Sequence, residues 1–246
     1  MRAKVTGGEP LLRSDIVEIC SALSKYLETS VTTNGYYLSE YAPKLAEAGL
    51  HHINVSLPAL DRERYRAVTG VDGLDRVVRG IEVARDVGLK PMTINVVLLR
   101  GYNDRDIERF IDFASRNEAR LRFIEFEPIG VSAETFARLY LPADTVIERI
   151  RGRVVAERTR SLHNRPVYIL DTGIEIEIVK WFGNPRFCYG CDRVRITPRG
   201  EIRVCIALPD SVDASKCFER LDEECLEKAI VRANELRRPF YTYPRE

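Results

Sequence analysis

Short β-branched runs alternate with amphipathic stretches of helical period through the first half of this chain, and that alternation restricts the fold more than any other feature. Ala3–Val5, Thr29–Thr33, His52–Ser56, Lys90–Leu98 and Leu121–Glu127 read as strands. Helical patterns run between them over Ser14–Tyr26, Ser39–Ala48, Asp61–Val68, Leu74–Val87 and Asp104–Arg116. Strands separated by helices of this length pair in parallel through βαβ crossovers. In such folds the functional residues gather at the carboxyl ends of the strands. Those ends are polar here: Thr6-Gly7-Gly8-Glu9, Thr32-Thr33-Asn34, Asn54 and Ser56, Asn95, Glu125 and Glu127. Any one of them alone is ordinary turn chemistry. Five strands delivering polar ends to one face predict a site there.

The rhythm breaks after Leu141. Pro166–Leu170 and Ile174–Val179 read as antiparallel strands around an Asp171-Thr172-Gly173 turn. A cysteine-rich segment, a hairpin at Pro198-Arg199-Gly200 and a helix near Asp222–Leu236 follow. This predicts two domains, 1–140 and 141–246. Composition is that of a core-forming protein, with 45% hydrophobic and 30% charged residues. The net charge of +1 implies no overall attraction to nucleic acid or anionic lipid. The 31 Arg against 7 Lys favour bidentate anion contacts, although genome composition gives the same skew. No apolar stretch approaches the ~20 residues of a membrane span, and Met1–Pro10 lacks the apolar core of a secretory signal. The cytosol is therefore the expected location, and the six Cys are expected as thiols, metal ligands or core residues rather than disulfides.

Cys188 and Cys191 form a CxxC in which Gly190 gives the turn its backbone freedom, and Cys205 follows after thirteen residues, across the Pro-Arg-Gly hairpin. Three thiolates can hold a [4Fe–4S] cluster and leave one iron open to substrate. A zinc ribbon with Cys217 as fourth ligand fits the same spacing. Cys20 and Cys225 read as core. Arg193 and Arg195 sit two apart, so in a strand both guanidiniums share a face and suit a phosphate chain; a solvated strand edge is the plainer alternative. His51, His52 and His163 lie near no motif and read as structural or surface residues.

Taken in order, these segments resemble a known family. Thr6-Gly7-Gly8-Glu9-Pro10 is similar to the GGEP segment of radical S-adenosylmethionine (SAM) enzymes. Thr32-Thr33-Asn34-Gly35, Asn54-Val55-Ser56-Leu57, Asn95-Val96-Val97 and Arg122-Phe123-Ile124-Glu125 follow in that family's order. The segment Phe187-Cys188 to Cys191-Asp192-Arg193-Val194-Arg195-Ile196-Thr197, with Cys205 downstream, resembles the cluster motif of the GTP 3′,8-cyclase family of molybdenum-cofactor biosynthesis. The resemblance covers roughly Lys4 to Cys205.

It implies an incomplete (β/α)₆ radical SAM barrel followed by an auxiliary cluster domain. It also implies a lyase that generates a 5′-deoxyadenosyl radical from SAM, abstracts hydrogen from the GTP ribose and closes C3′ onto C8. The implied SAM contacts are Gly7, Gly8, Glu9, Ser56 and Glu127. The implied GTP contacts are Lys4, Thr32, Thr93, Arg122, Arg193 and Arg195, and the implied ligands of the auxiliary [4Fe–4S] cluster are Cys188, Cys191 and Cys205. A downstream pterin-forming enzyme is the implied consumer of the product. The chain departs from the family at several places. Lys4 replaces Arg, Thr93 Lys, Glu127 Met, Pro58 Asp and Asp192 Asn, and Pro239–Glu246 lacks a terminal Gly-Gly. One fewer cation and one extra carboxylate make the pocket less favourable to a polyanionic nucleotide. The CxxxCxxC that precedes GGEP in such enzymes is not in the sequence. The expectation is therefore a missing first strand, no ligands for the SAM-cleaving cluster, an inactive polypeptide by itself, and an open sheet edge that favours homodimers. A radical SAM enzyme acting on a peptide, and a non-catalytic zinc-binding remnant, are the alternatives.

Overall fold

The computed structural model describes residues 1–181, 184–189 and 191–238, and it divides into two compact units. The first comprises 1–159 and 166–180, the second 160–165 and 181 onward. The division falls later than the expected boundary at 140, because the predicted hairpin joins the first sheet. Gly190 and the Pro239–Glu246 segment, both singled out above, lie outside the described residues.

The large sheet contains β1 (Arg2–Val5), β2 (Glu28–Thr33), β3 (His52–Ser56), β4 (Met92–Leu98), β5 (Arg120–Glu125), β6 (Val154–Arg160), β7 (Arg165–Leu170) and β8 (Glu175–Val179). Their order is β1-β2-β3-β4-β5-β8-β7-β6. Strands β1 to β5 pair in parallel in sequence order, and β8 adds in parallel to β5 before β7 turns back antiparallel. Helices α1 (Ile16–Ser24), α2 (Leu38–Glu47), α3 (Arg62–Thr69), α4 (Leu74–Asp86) and α5 (Ile107–Arg116) make the crossovers. Two shorter helices, α6 (Ala133–Leu139) and α7 (Asp144–Ile150), precede the hairpin. Strand β6 carries no clear period-two pattern and was not foreseen from the sequence.

Register explains how this sheet earns its core. Neighbours in a parallel register point to the same face. One face carries Val31, Ile53 and Met92, then Val55, Ile94, Leu121 and Ile176, then Val96, Phe123 and Ile178, all buried. These pack against the apolar stripes of the helices, including Phe110 and Ile111 of α5 and Ile81 of α4. Burying side chains of this size contributes about 1.5–3 kcal/mol each. The opposite face is polar, and it is treated below.

The second unit holds α8 (Pro185–Tyr189), a small antiparallel sheet of β9 (Arg195–Ile196), β10 (Glu201–Arg203) and β11 (Val212–Asp213), and helices α9 (Ser215–Arg220) and α10 (Glu223–Glu235). Ile202, Val204, Ala214, Ala229 and Ala233 form its own small core. No helix among the described residues is long and apolar enough to cross a membrane.

The turn after β2 needs a glycine on two counts. Gly35 has φ +80°, and a Cβ there would stand 2.8 Å from Val55 Cγ1 and 3.0 Å from Val77 Cγ1. Both neighbours are stiff β-branched side chains in the core. Gly35→Ala is expected to lose roughly 2–4 kcal/mol of stability, from left-handed strain plus overpacking. Urea unfolding checks this, and a loss below about 0.5 kcal/mol contradicts it.

Candidate functional site

The polar face of the large sheet is a set of register-matched rows. Lys4, Ser30 and His52 form the first row, Thr32, Asn54, Thr93 and Arg120 the second, and Ser56, Asn95, Arg122 and Glu177 the third. Asn54, Thr93, Asn95, Arg122 and Glu177 are all buried. A parallel sheet covered on both sides ordinarily reads apolar on both, so this face spends burial on polar groups.

Arg122 is the hub of the third row. Its Nε donates to Glu177 Oε2 at 2.9 Å, and Nη2 lies 2.8 Å from the same oxygen. Its Nη1 donates to Asn95 Oδ1 at 3.0 Å and Asn54 Oδ1 at 3.2 Å, while Asn54 Nδ2 donates to the Val31 carbonyl at 3.1 Å. The fork expected at a nucleotide-contacting position is thus engaged within the sheet and fixes the two asparagine amides. Glu177 was missed in the sequence, although the Glu-Ile-Glu-Ile alternation at 175–178 marks it as facing away from Ile176 and Ile178.

Glu9 also differs from expectation. Its Oε1 accepts from Thr33 Oγ1 at 2.6 Å and Leu11 N at 3.0 Å, and its Oε2 accepts from Asn34 N at 2.7 Å. The carboxylate therefore staples the Gly7-Gly8 loop to the Thr33-Asn34 turn instead of standing open. Thr33 Oγ1 in turn accepts from Gly35 N at 3.0 Å. An added Cβ at Gly7 or Gly8 would meet nothing within 4 Å, so the space over that loop is open. Thr32 Oγ1 is buried and has no hydrogen-bond partner among the described residues. Ser56 closes β3 half-buried. Glu127 lies beyond the end of β5, in the loop before α6. Glu125 faces the helices instead: it accepts from Ala143 N at 3.1 Å, and together with burial it pushes the Tyr140 phenol up to about 12. A surface hollow of about 650 Å³ between α1 and α2 involves none of these residues.

In the second unit the sulfurs sort themselves. Cys217 and Cys225 are joined in a disulfide, against the expectation of thiols, which removes Cys217 as a fourth zinc ligand and Cys225 as a simple core residue. Both lie on adjacent helices, α9 and α10, whose packing brings the two Cβ atoms together, a proximity that spacing in sequence does not reveal. Cys20 is fully buried as expected, and burial raises its thiol to about 11. Cys188, Cys191 and Cys205 remain thiols, each half-buried. Cys191 N donates to the Cys188 carbonyl at 2.9 Å, closing the CxxC turn. Among the described residues no three His, Cys, Asp or Glu side chains are gathered closely enough to hold a metal ion. The donor set itself, three uncommitted soft thiols, is of the type that iron–sulfur clusters take.

Along 191–197 burial alternates, with Cys191, Arg193 and Arg195 half-buried and Asp192, Val194 and Ile196 exposed. Arg193 and Arg195 are thus half-buried between exposed neighbours, and of the two only Arg195 lies in a strand, β9. Arg237, which no sequence signal marked, donates from Nη1 to the Cys191 carbonyl at 2.8 Å and from Nη2 to the Arg193 carbonyl at 3.0 Å. His163 was read as peripheral, but it is buried, at φ +62°, with its ring stacked 4.0 Å from that of Phe187. The neighbouring Asn164 Nδ2 donates to the Arg186 carbonyl at 2.7 Å. Burial, then the charges of Arg193, Arg165 and Arg195, lower the His163 imidazole to about 4.

A depressed imidazole makes acid destabilising. Between pH 6.5 and about 4 the unfolded chain takes a proton that folded His163 refuses, so stability falls as pH falls through that window. His163→Phe keeps the ring stack and removes the titration. Its stability relative to the parent is expected to rise by up to about 3 kcal/mol from pH 7 to pH 4 in denaturant titrations. A difference independent of pH contradicts it.

Comparison with known proteins agrees with this architecture. The radical SAM superfamily model matches residues 3–114, and the Molybdenum Cofactor Synthesis C model matches residues 119–243. A probable GTP 3′,8-cyclase from Saccharolobus islandicus (strain M.14.25 / Kamchatka #1) is 39% identical over 251 residues, which is 98% of this chain and 80% of that protein. One from Thermoplasma volcanium is 36% identical over 250 residues, covering 99% and 76%. The crystal structure of Streptococcus suis SuiB bound to S-adenosylmethionine shares the fold, with a TM-score of 0.64 at 18% identity over 87% of this chain and 52% of that one. With a radical SAM sheet, a molybdenum-cofactor synthesis domain and relatives of this identity along almost its whole length, the chain belongs to the GTP 3′,8-cyclase family of radical SAM proteins.

Proposed function

We propose that this protein is a radical SAM lyase that converts GTP to a 3′,8-cyclised GTP in molybdenum-cofactor biosynthesis. The observation that carries this function is the 39% identity to the Saccharolobus islandicus protein along 98% of the chain. We take the first unit as part of a (β/α)₆ barrel whose polar face is the interior, with β1 as its edge strand, and the second as an auxiliary cluster domain. When bound, SAM and its cluster supply the radical that removes hydrogen from the ribose. None of the six cysteines has the CxxxCxxC spacing, and no residue described here is assigned to that cluster.

The chain's own residues bind and orient. Gly7 and Gly8 leave room for the methionine end of SAM, Ser56 donates to its carboxylate, and Glu127 lies on its approach. Glu9 acts on SAM only indirectly, by holding the Gly7-Gly8 loop against the Thr33-Asn34 turn. Lys4, Thr32 and Thr93 contact the nucleotide, and the unpartnered Thr32 hydroxyl suits such a contact. Arg122 serves chiefly by presenting the Asn54 and Asn95 amides. Cys188, Cys191 and Cys205 ligate the auxiliary cluster, and Arg193 and Arg195 take the phosphate chain as paired forks.

Anaerobic reconstitution of the full chain with iron and sulfide tests this directly. About four iron atoms and matching acid-labile sulfide per chain are expected, falling sharply in Cys188→Ser. GTP binding is expected to weaken at least about tenfold in the Arg193→Ala/Arg195→Ala double variant. Zinc without sulfide, or GTP affinity untouched by the double substitution, contradicts the assignment.

A further inference from the structure

We infer that Arg203 is a third arginine of the anion site built around Arg193 and Arg195, and that it makes the site prefer a nucleoside triphosphate over shorter phosphate chains. This rests on the proposal that Arg193 and Arg195 bind the nucleotide's phosphates.

The register carries it. In the antiparallel pair of β9 and β10, Arg203 stands directly opposite Arg195, so the two side chains rise from the same face with Cβ atoms about 5 Å apart. Like charges in that relation repel, and a small sheet with little core is a poor place to tolerate the repulsion without a counter-charge. Among the described residues neither arginine has a carboxylate partner. The acids of the small sheet make other contacts: Glu201, on the same face as Arg203, accepts from Thr197 Oγ1 at 3.2 Å, Asp210 pairs with Arg238 at 3.4 Å, and Asp213 accepts from Ser215 N at 2.9 Å. Asp192 lies on the exposed side of the alternation, opposite to Arg193 and Arg195.

Arg203 is also held in place but incompletely satisfied. Its Nη2 donates to the Leu208 carbonyl at 2.6 Å, which fixes the guanidinium, while its buried Nε finds no acceptor. An arginine tethered at one corner, facing a second arginine, lacks what an oxyanion supplies: several acceptor oxygens and negative charge. Arg193, Arg165 and Arg195 all act on the buried His163 ring, with Asp192 acting in the opposite sense, so the cations outnumber the acid in that region of the unit. Cys205 follows two residues after Arg203, which puts the cation beside a thiol proposed as a cluster ligand. Three guanidiniums match the several charges of a triphosphate, whereas a monophosphate needs only one fork.

The test is calorimetric binding of GTP, GMP, guanosine and inorganic tripolyphosphate to the anaerobically reconstituted full chain at two salt concentrations. Arg203→Gln is expected to weaken GTP and tripolyphosphate by about tenfold, flatten their salt dependence, reduce the GTP-to-GMP preference and leave guanosine unchanged. Arg203→Lys, which keeps the charge without the fork, is expected to fall between. GTP and tripolyphosphate affinities unchanged in Arg203→Gln, while Arg193→Gln or Arg195→Gln weakens them, overturn the role of Arg203 alone. Parent protein binding GTP no better than guanosine overturns the phosphate assignment of the pair, and this inference with it. If Arg203→Gln also loses guanosine, the fold has suffered and Arg203→Lys decides: an unchanged GTP-to-GMP ratio there counts against the proposal.

Discussion

Everything in the first unit depends on a parallel sheet whose two faces obey different rules. The central strands β3, β4, β5 and β8 are largely buried, so their alternating residues must satisfy either an apolar helix layer or a polar row. The apolar side is held chiefly by burial, and the carboxylate of Glu125 on that side accepts from Ala143 N. The polar side survives burial only because its members satisfy one another: Glu177 balances Arg122, and Arg122 fills the carbonyl oxygens of Asn54 and Asn95. Removing one partner of such a pair leaves an uncompensated charge in a dry place, which is far more damaging than replacing both. The row is thus held in one arrangement by its own hydrogen bonds.

The same division explains what could be read from the amino-acid order. The parallel architecture was legible because β-branched runs and helical periods alternate without ambiguity up to Leu141. The two-fold alternation in the Arg193–Ile196 segment was legible for the same reason, and the structure leaves both arginines half-buried between exposed neighbours. The hairpin at 166–179 was recognised as a hairpin, but nothing local tells which sheet a hairpin will join; the pairing of Arg122 with Glu177 is a contact between residues 55 apart. Glu9 was identified as a site residue, but its bonds to Thr33, Asn34 N and Leu11 N were not legible from spacing. Cys225, His163 and Arg237 were misjudged or missed because each acts through a partner brought close only by tertiary packing.

The second unit gains definition from few elements. Its core is small, and small cores need additional constraints. Here a disulfide links α9 to α10, and side-chain bonds tie distant segments to the cysteine loop. By pairing with each other, Cys217 and Cys225 also leave the remaining three thiols of this unit as the only uncommitted sulfurs among its described residues.

The grip of Arg237 on the carbonyls of Cys191 and Arg193 spans 46 and 44 residues. During synthesis the cysteine turn therefore emerges well before the guanidinium that satisfies its backbone. Without Arg237 in place, those two carbonyls lose the donors that the structure gives them. The backbone that follows the CxxC pair is thus held by a side chain more than forty residues further along the chain.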